Sequence, residues 1–149
     1  MSDGESSQGP IIDWLSDPRA HGNPPGGVQR IETHGAFVFL AGARAYKMKR
    51  AVKYRYMDYS TLALRRFNLE RELTLNRRTA PEIYLRVRCV RRDASGALSM
   101  AETAPGETVE WLLEMARFDT EAVLDRIASR GGLDIMLMDR LADAIATGA

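Results

Sequence analysis

The sequence predicts an α+β fold: a mostly antiparallel sheet with one long helix inserted midway. Three observations carry this expectation. Short apolar-rich runs joined by tight turns fill the first third of the chain, one stretch of helical periodicity follows from Ser60 to about Arg78, and alternating runs then resume. Read in order, the elements are β-β-β-α-β-β-β-α-α.

The polar start, Ser2 to Gly9, reads as a frayed terminus. Pro10 to Ser16 (PIIDWLS) predicts a short helix, with Ile11, Ile12, Trp14 and Leu15 on its apolar side and Asp17-Pro18 to end it. His21 to Gly27 is a loop, because its prolines and glycines resist any regular element. Val28 to Glu32 and Ala36 to Ala41 are strands joined through Thr33-His34-Gly35, with a second turn at Gly42. Arg44 to Val52 alternates as a half-buried strand would, with Tyr46 and Met48 on one face and Lys47 and Lys49 on the other. In the long helix Leu62, Leu69, Leu73 and Asn76 recur on one face, and Pro81 stops it.

Ile83 to Arg91 alternates again, Ile83, Leu85, Val87 and Cys89 against Arg86 and Arg88, and Asp93 to Gly96 turns the chain. A short strand is expected over Ala97 to Ala101, then a Pro105-Gly106 loop. A last strand follows from Thr108 to Met115, where Val109, Trp111, Leu113 and Met115 oppose Glu110 and Glu114. Two closing helices, Thr120 to Arg130 and Leu133 to Thr147, are separated by the Gly131-Gly132 stop. Their apolar residues need a covering partner.

At 149 residues the prior is one domain, and 21 Lys+Arg against 20 Asp+Glu leave a net charge of +1, which gives no global case for a nucleic-acid or membrane surface. Cys89 is the only cysteine, so a disulfide framework is excluded, and with two histidines a structural zinc site is too. No run approaches the ~20 apolar residues of a membrane span, and with no leader at the start a cytoplasmic home is expected. The Walker-type loop, the dinucleotide glycine pattern and the G-x-S-x-G elbow are all missing, and Cys89 reads as a buried inert thiol.

What remains is a lysine on a third strand followed by a helix bearing glutamates. In kinase-like folds such a lysine holds nucleotide phosphates and a helix carboxylate fixes its ammonium. By spacing alone the signal is weak, and the reading of Lys47 and Lys49 as the solvated face of an edge strand, with the glutamates a solvated helix face, is the stronger one. Five blocks add to this: Ile31 to Leu40 (IETHGAFVFL), Ala45 to Val52 (AYKMKRAV), Tyr56 to Leu62 (YMDYSTL), Glu72 to Leu85 (ELTLNRRTAPEIYL) and Val109 to Phe118 (VEWLLEMARF). Together they resemble the aminoglycoside phosphotransferase-like family of bacterial proteins, in the branch often fused to a C-terminal P-loop kinase domain. The resemblance spans roughly Ile11 to Ile145.

It implies the small N-terminal lobe of a protein-kinase-like fold over residues 28–118, preceded by an arm with a short helix (1–27) and followed by the first helices of a truncated larger lobe (119–149). ATP, with magnesium, is the implied cofactor. Lys47 is similar to the strand lysine on the ATP phosphates, with Lys49 the second candidate. Glu72 is similar to its helix partner, with Glu70, about 200° around the helix, as rival. Glu114-Met115-Ala116-Arg117 resembles the hinge, so Glu114, Met115 and Ala116 would present backbone groups to adenine. The turn Thr33-His34-Gly35 takes the place of the phosphate-covering loop, with a single glycine where the family has several, and Ala51 stands where the resemblance favours proline.

The departure that matters is the H-G-D-x-H-x-x-N-like catalytic run. It is absent, and His21-Gly22 precedes the first strand and is followed by Asn23. No residue here is therefore assigned a catalytic or metal-binding role, and the chain is expected to be inactive unless another polypeptide supplies the larger lobe. Two other classes of function compete. A lone lobe would serve as a non-catalytic interaction module, self-associating or docking through its exposed helices, although such a module has no need to keep a Lys47–Glu72 pair. Nucleic-acid binding draws on Lys47, Lys49, Arg50, Lys53 and Arg55 interleaved with Tyr54, Tyr56 and Tyr59, but the balanced charge favours a solvated face, so any such binding is expected to be weak and lost with salt.

Overall fold

In the computed structural model, residues 7–117 are described. The expectations for the first six residues and for the two closing helices with their Gly131-Gly132 stop lie outside them. Helix α1 covers Gly9–Ser16, with Pro10 in its first turn, and a 3₁₀ turn follows at Pro18–His21. Strands β1 (Val28–Glu32), β2 (Ala36–Ala41) and β3 (Arg44–Lys49) form the expected antiparallel meander. Helix α2 runs over Leu62–Arg77 from an N-cap at Thr61, whose hydroxyl accepts from the Leu64 N–H at 3.1 Å.

Strands β6 (Tyr84–Arg92), β7 (Leu98–Ser99) and β8 (Glu107–Ala116) complete a curled antiparallel sheet of order β1-β2-β3-β8-β6-β7. The last strand along the chain thus lies in the middle, between β3 and β6. An additional hairpin, β4 (Lys53–Tyr54) with β5 (Met57–Asp58), stands apart from that sheet and was not among the expected elements. The α+β class holds, with one long helix between two sets of strands.

Each face of the sheet is covered by one helix. Under α2 lie Ile31, Val38, Leu40, Ala45, Leu113 and Met115 with Leu69 from the helix; under α1 lie Phe37, Phe39, Tyr46, Met48, Val90 and Leu112 with Ile11 and Leu15. This two-sided cover corrects the expectation of a half-buried third strand. Every residue of β3 from Ala45 to Lys49 is buried, the lysines included, and the strand ends at Lys49 rather than Val52. The same cover buries Glu110 and Glu114 of β8, which alternation alone had set opposite the apolar face.

In β6 the register shifts between Tyr84 and Arg86, so Tyr84, not Leu85, joins Val87 on the α2 face. Gly106, ahead of β8, has φ +113°, and a Cβ there would stand 2.0 Å from the Arg92 carbonyl oxygen. Only glycine fits that approach. No helix among the described residues is long and apolar enough to cross a membrane.

Candidate functional site

Alternation along β3 sends Lys47 and Lys49 toward α2, while the helical period brings Glu72 to the face of α2 that also carries Leu69 and Asn76. The three side chains meet. Lys47 Nζ donates to Glu72 Oε1 at 2.7 Å, and Lys49 Nζ lies 3.2 Å from Oε2. Glu70, the rival, is exposed and lies 3.9 Å from Arg66 one turn earlier on the same helix.

All three charges are nearly dehydrated, with 8%, 7% and 5% of Lys47, Lys49 and Glu72 exposed. Burial opposes the Glu72 carboxylate, but the two ammonium groups outweigh it and hold the carboxyl at about 2. Burial pushes the Lys47 ammonium down; the Glu72 carboxylate pulls it back only in part, and the charge of Lys49 adds to the fall. Among the described residues, Lys47 and Lys49 share one carboxylate within ion-pair distance, that of Glu72. Lys49 is further held 4.7 Å from the Tyr59 ring centre, a cation–π contact.

The lysines form the floor of a cleft of about 400 Å³. Its roof is the turn between β1 and β2, where the Thr33 hydroxyl and the Ala36 N–H hydrogen-bond at 3.1 Å and Gly35 O accepts from Arg50 N at 2.9 Å. Gly35 faces the β4–β5 hairpin: a Cβ there would sit 3.4 Å from the Met57 sulfur, an ordinary van der Waals contact. Asn68, Arg71 and Leu75 of α2 make one wall and Tyr56, Met57 and Tyr59 the other.

The segment read as a hinge lies elsewhere. Glu114, Met115 and Ala116 pair with Tyr46, Ala45 and Arg44 at the end of β3 farthest from Lys49, and none of the three lines the cleft. The Glu114 side chain sits on the α1 face, accepting from Arg44 Nε at 3.1 Å and Arg88 Nη1 at 3.2 Å. The backbone N–H of Ala116 donates to Ile83 O at 2.8 Å and that of Arg117 to Ala43 O at 2.9 Å, so both donors are engaged within the chain.

Sequence reasoning passed over a buried polar knot that fixes α2 to the sheet. The β3–β8 ladder stops at Lys47–Leu113, and beyond it the seam is filled by Gln8, Arg65 and Glu110. Arg65 Nε donates to Glu110 Oε2 at 3.0 Å, and Gln8 Nε2 donates to Glu110 Oε1 at 2.7 Å and to Lys49 O at 2.9 Å. Gln8 Oε1 accepts from Ala51 N at 2.9 Å. One signal was legible: Arg65 stands four residues before Leu69 and seven before Glu72, on the face that the periodicity assigns to the core.

Among the described residues no group of three or more His, Cys, Asp or Glu is placed to hold a metal ion. The chain matches no family model, no curated protein and no solved structure, so the site's geometry has to carry the functional argument.

Proposed function

We propose that this chain is the ATP-binding lobe of a small-molecule kinase of the aminoglycoside phosphotransferase-like kind, with the nucleotide's phosphates on Lys47 and Lys49. The observation that carries the reading is the dehydrated Lys47–Glu72–Lys49 group on the floor of a roofed cleft. A lysine on the third strand, an ion-paired glutamate on the following helix and a turn over both are the parts by which kinases seat phosphates. A solvated face offers no reason to bury two ammonium groups on one carboxylate, since dehydrating each ion costs several kcal/mol. An incoming polyanion adds negative charge to that of the one carboxylate.

Glu72 then orients Lys47, and Lys49 adds a second positive charge against the phosphate oxygens. Magnesium bound with ATP would neutralise phosphate charge; its protein ligands would come from other sequence, because Glu72 is engaged by the lysines. The base that deprotonates an acceptor would also come from elsewhere, and these 149 residues hold no catalytic run. A polypeptide carrying the larger lobe is accordingly the partner this reading requires.

Isothermal titration of the 149-residue chain with MgATP and with tripolyphosphate tests the proposal. Both should bind, and Lys47→Met should weaken both by at least about tenfold, the effect of losing one charge-assisted contact. Absence of binding by either ligand, or affinity unchanged in both Lys47→Met and Lys49→Met, overturns it.

A further inference from the structure

Gln8, in the polar stretch ahead of α1, is 1% exposed and makes three hydrogen bonds with one side-chain amide. Two of them go to the backbone where β3 ends. Nε2 donates to the Lys49 carbonyl and Oε1 accepts from the Ala51 N–H, so the amide stands in for a neighbouring strand just past the point where the β3–β8 ladder stops. Ala51 can donate there, whereas the proline that the resemblance favours at this position has no N–H. The third bond, to Glu110 Oε1, leads through the other carboxylate oxygen to Arg65 Nε on α2.

The two helices cover opposite faces of the sheet, and Glu110 accepts from a side chain tied to each: Gln8 at the N-cap of α1 and Arg65 of α2. Arg65 precedes Glu72 by seven residues, about 10 Å along the helix axis and within about 20° of the same line. Holding the Arg65 side chain therefore fixes both the height and the rotation of Glu72. A slip of one residue along the helix would swing Glu72 by about 100°, away from the lysines. Arg65 Nη1 also donates to Tyr59 O at 3.0 Å, and the Tyr59 ring lies against Lys49. The link thus reaches Glu72 through α2, and Lys49 through both its carbonyl and Tyr59. Apolar residues of similar volume often hold a helix as firmly as a buried ion pair does, so what Arg65 and Glu110 add is a single place for α2.

We propose that Gln8, Glu110 and Arg65 are positioning residues for the cleft: together they hold α2 where Glu72 meets both lysines, and the segment carrying Gln8 thereby sets the affinity of the cleft for polyphosphate. The inference rests on the phosphate reading of the floor for this functional consequence. It differs from a plain stabilising role, in which losing Gln8 lowers the fraction folded and leaves the floor of each folded molecule unchanged.

Two measurements on the 149-residue chain test it. The first follows the ¹³C shift of the Glu72 side-chain carboxyl by NMR of the folded protein from about pH 7 to about pH 3. Wild type, whose carboxyl the lysines hold at about 2, should stay nearly flat. In Gln8→Ala the midpoint should rise by about one unit or more toward the ordinary 4.5, a tenfold gain in proton affinity. Gln8→Met keeps the volume and removes both polar ends, and it gives the same reading where Gln8→Ala fails to fold. Gly106→Ala, destabilised outside the cleft lining, should stay as flat as wild type. The second measurement is tripolyphosphate affinity by isothermal titration, which should fall about tenfold in the Gln8 variants, within the usual range for coupling between linked sites. A Glu72 carboxyl that stays flat in both Gln8 variants, a shift of the same size in Gly106→Ala, or an affinity unchanged from wild type in both Gln8 variants overturns the inference. Absence of tripolyphosphate binding by wild type overturns the phosphate reading instead, and the Glu72 midpoint then still decides the positioning role, so the two failures are distinguishable.

Discussion

Removing the shared carboxylate should cost far more than removing either cation it holds. Glu72→Gln leaves Lys47 and Lys49 facing one another with under a tenth of either residue exposed, and an uncompensated buried charge costs about 3–5 kcal/mol. The fall of the Glu72 carboxyl from its ordinary 4.5 to about 2 gives a similar figure, about 3 kcal/mol. Lys47→Met is a different perturbation. Lys49 stays 3.2 Å from Glu72 to neutralise it, the repulsion between the two ammonium groups disappears, and the methionine replaces the buried stem. The expected cost is about 1 kcal/mol or less. Urea unfolding at pH 7, followed by the fluorescence of Trp14 and Trp111, measures both variants. With a slope of about 1–3 kcal/mol/M, Glu72→Gln should lower the midpoint by roughly 1–3 M and Lys47→Met by a fraction of that. Equal losses, or a Glu72→Gln loss below about 1 kcal/mol, would refute the picture of one anion shared by two cations.

Three further outcomes are expected. Because folding depresses the Glu72 pKa, its contribution is complete above the unfolded value near 4.5 and disappears as pH falls toward about 2; stability between about pH 5 and pH 2 should drop more steeply in wild type than in Glu72→Gln. Gly106→Ala drives a Cβ to 2.0 Å from the Arg92 oxygen and 2.6 Å from its carbon, at a φ that alanine resists, and thermal unfolding should register a loss of about 2 kcal/mol or more, against a smaller loss for Gly96→Ala, where the space is open. Gln8→Ala strips a partner from the Ala51 N–H, the Lys49 carbonyl and Glu110 at once, and denaturant titration should show a loss of about 1–3 kcal/mol.

Local signals served well where a single rule decided the outcome. Strands β1 and β2 follow from apolar runs between turn residues, and α2 from its period and the Pro81 stop. The fate of Lys47 and Lys49 was not decided locally. Alternation puts them on one face, yet whether that face meets water or a helix depends on where α2 packs, some 25 residues on. The β4–β5 hairpin escaped notice because two-residue strands are too short to display a period of two. The shift at Tyr84 in β6 escaped for a different reason: Ile83 to Arg91 alternates straight through it in sequence, and a register shift depends on the pairing with β8. At the site, the residue types pointed to Lys47 and Glu72; the role of Gln8, in a polar segment read as a frayed terminus, needed the fold.

The central place of β8 carries a consequence for how the molecule is made. Until the ribosome has delivered residues 107–116, β3 and β6 have no neighbour on their inner edges, and the growing chain exposes two half-sheets with open hydrogen-bonding groups. Closing the gap joins Arg44 to Ala116, a contact over most of the described length, so assembly of the sheet waits on a late, long-range step of the kind that slows folding and invites strand exchange between nascent copies. The floor of the cleft is finished only then, because Leu113 of β8 is the strand neighbour that backs Lys47.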